Sequence, residues 1–170
     1  MKAMKKILAL ALAGVMALAL LTGCGTGGSA SHKSIAKAMA DHDRGIKNNL
    51  DITCTSSAEL DAKLQEQAKK PGFEDVVKKV YKGTLSSSDI PGGVVIPSNT
   101  VVYLYCGKYD KDAGKQAINL NAHSACINTY SGTNPPSLAA ERKIGLITTS
   151  FIDDTTHEKV KVRFAVVVSD

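Results

Sequence analysis

His123 and Cys126 are the pair in this chain whose types and spacing come nearest to chemistry. Three residues apart, they would share one face of a helix. There an imidazole and a thiolate can act as two zinc ligands, or as a base and its nucleophile. Either use needs more than the pair. Zinc takes four ligands, so His157 or Cys54 would have to approach through the fold, and a nucleophile needs its imidazole oriented by a third group. The reading adopted is the plainer one, a buried cysteine beside a surface histidine. Asp41-His42-Asp43 has the composition of a metal site, but neighbouring helical residues point in different directions, so the triplet reads as a solvated helix surface. His32 reads as solvated, Ser86-Ser87-Ser88 as loop, and Asp153-Asp154 as turn residues instead of acid–base groups or calcium ligands. No Gly-x-Ser-x-Gly occurs, and Pro91-Gly92-Gly93 lacks the pattern of a phosphate-binding loop. No catalytic residue, metal ligand or cofactor is assigned on these grounds.

A fourth cysteine has a different setting. Lys2, Lys5 and Lys6 make a basic start, Ile7 to Leu21 is an uncharged apolar run, and Thr22 and Gly23 lead to Cys24. A basic head, a short apolar body and a small-residue exit describe a secretory signal. The run is shorter than the roughly 20 apolar residues a membrane-spanning helix takes. Leu21-Thr22-Gly23-Cys24 resembles the lipobox of bacterial lipoproteins. The resemblance implies that the Cys24 thiol receives a diacylglyceryl group and that the chain is cut just before it. Residues 1–23 would then be the signal peptide and residues 24–32 the anchor and flexible tether, rich in glycine and serine. Residues 33–170 would form one domain on the extracytoplasmic face of the cell membrane. Two acyl chains give stable anchoring where one gives only marginal binding.

Removing residues 1–23, which carry three lysines and no acid, takes the net charge of +5 down to +2. A nearly neutral exported domain is a poor candidate for nucleic-acid binding, which needs concentrated positive charge. Three Phe, five Tyr and no Trp leave few aromatic platforms of the kind that carbohydrate and peptide binders present. Cys54, Cys106 and Cys126 remain after lipidation. They allow one disulfide and a free thiol, or three thiols, and their spacing does not choose.

These residues must be positioned by the elements that the apolar periodicity predicts. Ile35, Ala38, Met39, Ile46 and Leu50 form one helical face from Ser34 to Leu50. Leu50, Ile52 and Cys54 alternate as a short strand or extended link. Ser56, three residues before Glu59, has capping-box spacing and opens a helix carrying Leu60, Leu64 and Ala68, which Pro71-Gly72 ends. Phe73, Val76, Val77 and Val80 make an apolar stripe opposite lysines. Packing on a core is the expectation, with membrane contact as the alternative. Val94 to Ile96 and Thr100 to Cys106 are β-rich. Ile118, Ala122, Ala125, Cys126 and Tyr130 predict a helix over 116–130. Lys143 to Ile152, a turn at 153–156 and the alternation Val160, Val162, Phe164, Val166, Val168 predict a closing hairpin. Its second strand reads as covered on both sides from Phe164 onward. The expected fold is α+β, a small antiparallel sheet with a C-terminal hairpin packed against three to four helices.

This element order resembles the CAP superfamily, the cysteine-rich secretory proteins and their bacterial relatives. "RGIKNNLDITCTSSAELDAKLQEQA" is similar to the family's opening, with Arg44, Leu50, Leu60 and Ala68 at matching spacing, and "ERKIGLITTS…VKVRFAVVV" is similar to its closing hairpin. The family's cleft uses histidines and glutamates. Its second histidine is missing from "YSGTNPPSLAAE", and no Gly-Glu-Asn precedes Gln116. The resemblance therefore carries over no site residue. It implies a member that has lost the cleft and binds instead of catalysing. The function expected is a lipid-anchored, non-catalytic binding or surface-interaction domain, with a CAP-like or metal-dependent extracellular enzyme as the alternative. The expected partners are the membrane, through Cys24, and a ligand of the cell envelope or extracellular space.

Overall fold

A computed structural model describes residues 29–86, 89, 101–128 and 139–169. The elements are α1 (His32–Lys47), β1 (Thr53–Ser56), α2 (Ala58–Ala68), α3 (Phe73–Lys82), β2 (Val101–Lys108), α4 (Ala113–Asn121), β3 (Ser124–Asn128), β4 (Glu141–Ile152) and β5 (Lys159–Ser169). The strands form one sheet in the order β1-β4-β5-β2-β3. The β4–β5, β5–β2 and β2–β3 pairings are antiparallel. Strand β1 joins the edge of β4 in parallel, so the sheet is mixed, and the fold is α+β as expected.

Strand alternation divides the core in two. Leu104, Cys106, Ile147, Phe151, Val162 and Phe164 point to one face, where Leu64 of α2 and Val76, Val77 and Val80 of α3 meet them. Tyr105, Ile144, Leu146, Ala165 and Val167 point to the other, against Ile35, Ala36 and Met39 of α1 and Ala117 and Leu120 of α4. The α3 stripe thus packs on the core. Strand β5 is the middle strand with helices over both faces, which is why its pattern loses polar alternation after Arg163. Two glycines permit close contact. A Cβ on Gly107 would lie 2.4 Å from the Asn119 backbone of α4, and one on Gly145 would lie 2.5 Å from Leu60 Cβ of α2.

Several local expectations are corrected. The helix expected over 116–130 ends at Asn121, and 124–128 is strand β3, paired with β2. Ala125 and Ile127 repeat with period two and pack on the α3 face, so cross-strand pairing overrides the approximate 3.6 spacing. Ile118 is exposed, while Gln116, Ala117 and Leu120 form the buried side of α4. Helix α1 starts earlier than expected because the Ser31 side chain accepts from the Ser34 amide. It ends at Asn48, whose left-handed φ of 50° stops it, and leaves Ile46 and Leu50 in solvent. The cap of α2 is Ser57, which accepts from the Leu60 amide, and not Ser56, which lies in β1. Asp61 of α2 extends the β1 ladder along β4, its carboxylate accepting from the Leu146 amide at 2.6 Å. Val94 to Ile96 and most of "YSGTNPPSLAAE" lie outside the described residues.

Candidate functional site

The pair His123 and Cys126 does not meet. His123 sits in the turn before β3, and its ring lies 4.9 Å from that of Tyr81, which also contacts Phe151 on the α2/α3 face. Cys126 stands opposite Tyr103 in the β2–β3 register, and Tyr103 packs on the α1/α4 face. The sheet therefore separates them, since opposed residues of paired strands share a side. Cys106 is fully buried on the α2/α3 face, where burial pushes its thiol up to about 12. Cys54, Cys106 and Cys126 are all free thiols. His157 lies exposed on the hairpin turn with a φ of 56°. Asp153 accepts from the Thr155 and Thr156 amides, and Asp154 binds Lys78 and Lys82, so both belong to the turn. His32 is not simply solvated, because its Nδ1 lies 2.8 Å from the second oxygen of Asp61. Among the described residues no group of three or more His, Cys, Asp or Glu could hold a metal ion.

What the structure does assemble is a polar cluster where α1 ends over β1 and β4. Arg142 of β4 is buried beneath the helix and pairs with Asp43. Its Nε donates to the Ala139 carbonyl at 2.8 Å. Cys54 pairs with Arg142 in the β1–β4 register, and Tyr105 packs on the same face, stacked on Tyr103. His42 lies beside Asp43, with its Nδ1 3.8 Å from the carboxylate. Burial pushes the Cys54 thiol up to about 11 and the Tyr105 phenol up to about 12, the latter helped by the Asp43 charge. Neither group ionises near neutral pH, and the half-buried Asp43 carboxylate is held by Arg142. A groove of about 560 Å³ runs from Cys54 along the α1–β1 seam, between Ser31, Ser34 and Ser56 and the ammonium groups of Lys33 and Lys37. Lys37 is paired with Asp41 at 2.9 Å. Hydroxyls and lysines lining this groove offer hydrogen bonds and positive charge to a ligand.

At the opposite end of the sheet the N-terminal segment is fastened. Ser29 and Ala30, assigned to the tether by composition, are held by the fold. The Arg163 guanidinium donates to Ser29 Oγ at 2.8 Å and to the Ala30 carbonyl at 3.1 Å. The Ser29 and Tyr109 hydroxyls are bonded at 2.8 Å, and the Ala30 amide donates to the Lys111 carbonyl at 2.8 Å. Lys161 Nζ stands 3.9 Å from the centre of the Tyr109 ring. The bond to Ser29, together with the Lys161 and Arg163 charges, draws the Tyr109 phenol below its usual pKa. Sequence patterning missed both arginines, because Arg142 falls just before the strand expected from Lys143 and Arg163 occupies a polar position of the β5 alternation. Arg163 is 3% exposed. Cys24 lies outside the described residues, and no helix among the described residues is long and apolar enough to cross a membrane.

No family model, no curated protein and no solved structure matches this chain.

Proposed function

We propose that this protein is a lipid-anchored, extracytoplasmic bacterial lipoprotein whose domain works by binding and not by catalysis. The anchor reading rests on Leu21-Thr22-Gly23-Cys24 at the end of the apolar run. The observation that carries the binding reading is the state of the polar cluster. Its thiol and phenol are held protonated by burial, and its carboxylate is committed to Arg142. Such a cluster fixes shape and offers contacts, whereas acid–base or nucleophilic work needs a group poised near the working pH. The groove beside it supplies a surface lined with hydroxyls and lysines. A CAP-like ancestry belongs to the same proposal. It is supported by a described element order in which helix, strand and two helices precede a strand, a helix, the added strand β3 and a closing hairpin.

Fractionation of cells making the Cys24→Ala protein tests the anchor. The expected result is loss of lipid incorporation and transfer of the protein out of the membrane fraction. A Cys24→Ala protein that still takes up labelled fatty acid would refute the reading. Elemental analysis of the purified mature protein tests the metal-dependent form of the enzymatic alternative, which requires a stoichiometric bound metal.

A further inference from the structure

The fastening of Ser29 fixes where the anchor leaves the domain, and that end is basic. Lys108 ends β2 and Tyr109 follows it, Lys159, Lys161 and Arg163 begin β5, and Lys111 and Lys115 flank the start of α4. The register places Lys108 opposite Val162 and Ile152 opposite Lys159, at the end of the sheet that Arg163 and Tyr109 tie to the N-terminal segment. Lys108, Lys111, Lys115, Lys159 and Lys161 are all exposed. The acids at this end are Asp110, Asp112, Glu158 and Glu74, whose carboxylate accepts from the Ile152 amide. Asp110 and Asp112 spend a carboxylate oxygen each on backbone amides, those of Asp112 and Lys115. Asp153 and Asp154 are neutralised by Lys78 and Lys82. Five exposed lysines and the buried Arg163 therefore stand against Asp110, Asp112, Glu158 and Glu74.

Four residues lie between Cys24 and Ser29, and the five Cα–Cα steps reach roughly 17 Å at full extension. A domain of this size is roughly 35–40 Å across. Helix α1, of 16 residues and so about 24 Å long, leads from the fastened end to Asp43 and Arg142 at the other. Reach alone permits several tilts of the domain on a bilayer. The lysines select one.

Resting on the lipid-anchor reading above, we infer that this lysine-bearing end is a docking surface for anionic phospholipid headgroups, turning the Arg142–Asp43 cluster away from the bilayer. Charge attraction of this kind is worth most within a Debye length, about 8–10 Å in physiological salt, and the short connection keeps the lysines in that range. The tether then orients the domain instead of leaving it free to tumble.

The test uses the natural lipidated protein reconstituted into vesicles of phosphatidylglycerol with phosphatidylcholine, or of phosphatidylcholine alone. Acetylation of each lysine by a water-soluble reagent is followed by peptide mass spectrometry. In anionic vesicles Lys108, Lys111, Lys115, Lys159 and Lys161 should react about fivefold more slowly than in neutral ones. Lys47 and Lys143, at the other end of α1 and β4, should be unchanged, and the protection should vanish in high salt. Lys111→Glu with Lys115→Glu should reduce protection of the remaining three while the protein still floats with the vesicles. Equal rates in the two vesicles, or equal protection of Lys47 and Lys143, would overturn the docking surface while leaving the anchor intact. A protein that floats with neither vesicle would overturn the anchor, and this proposal with it.

Discussion

At the scale of single residues, the thiols separate by environment. Cys126 is exposed on an edge strand, Cys54 is half-buried beside Arg142, and Cys106 is sealed in the core. The rise of the Cys54 thiol from 9.0 to about 11 leaves roughly one hundredth of the usual thiolate at neutral pH. A chromogenic disulfide reagent at pH 7 should therefore find one fast thiol in the native protein, and the Cys126→Ser variant should lose it. In denaturant the mature protein should show three reactive thiols, because a lipidated Cys24 carries a thioether. A fast Cys54, or a fourth thiol in the denatured mature chain, would contradict the account. The buried arginines belong to this scale as well. Arg142 and Arg163 are each nine-tenths or more buried, and each bridges the sheet to the chain covering it, one to Asp43 and one to Ser29 and Ala30.

At the scale of elements, the helices are held where strands lack side chains or offer amides. Gly107→Ala should cost about 3 kcal/mol, because the new methyl meets helix backbone that cannot yield easily. Chemical denaturation with an unchanged m-value would read this directly, and a loss near zero would mean that α4 does not press on β2. The hairpin turn is clasped to α3 by Lys78 and Lys82, whose bonds hold the Asp154 carboxyl down at about 2. Its folded pKa lies below its unfolded value, so the clasp is present above about pH 4 and is lost as the pH falls towards 2. Stability should decline over that window, and Asp154→Asn should remove part of the decline. An identical acid limb in the variant would dismiss the clasp. These elements were unequally legible. The closing hairpin, the α3 stripe and the covered central strand could be read because their periods are clean. Strand β3 could not, since Ala125 and Cys126 fit a helical period as well as a strand, and only pairing with β2 decides. The parallel attachment of β1 was hidden for the same reason. Its four residues carry little pattern, and their partner lies 88 positions away. The polar cluster was half visible. Asp43 stands out within Asp41-His42-Asp43, while its partner Arg142 precedes the strand expected from Lys143 and carries no signal until α1 is laid over it.

At the scale of the molecule, the sheet carries its two polar features at opposite ends. The tie between Ser29 and Arg163 lies at one, and the Arg142–Asp43 cluster at the other, with α1 between them. A domain fastened to a bilayer by the first presents the second to its surroundings, which suits a surface-interaction role better than a freely diffusing one. That arrangement has its meaning only if the chain is anchored at residue 24. Intact-mass and N-terminal peptide mass spectrometry of the protein purified from its own cells measures this directly. The account predicts a chain that begins at Cys24 and carries a diacylglyceryl thioether on its sulfur. A retained Met1, or a mature Cys24 with an unmodified thiol, would contradict it.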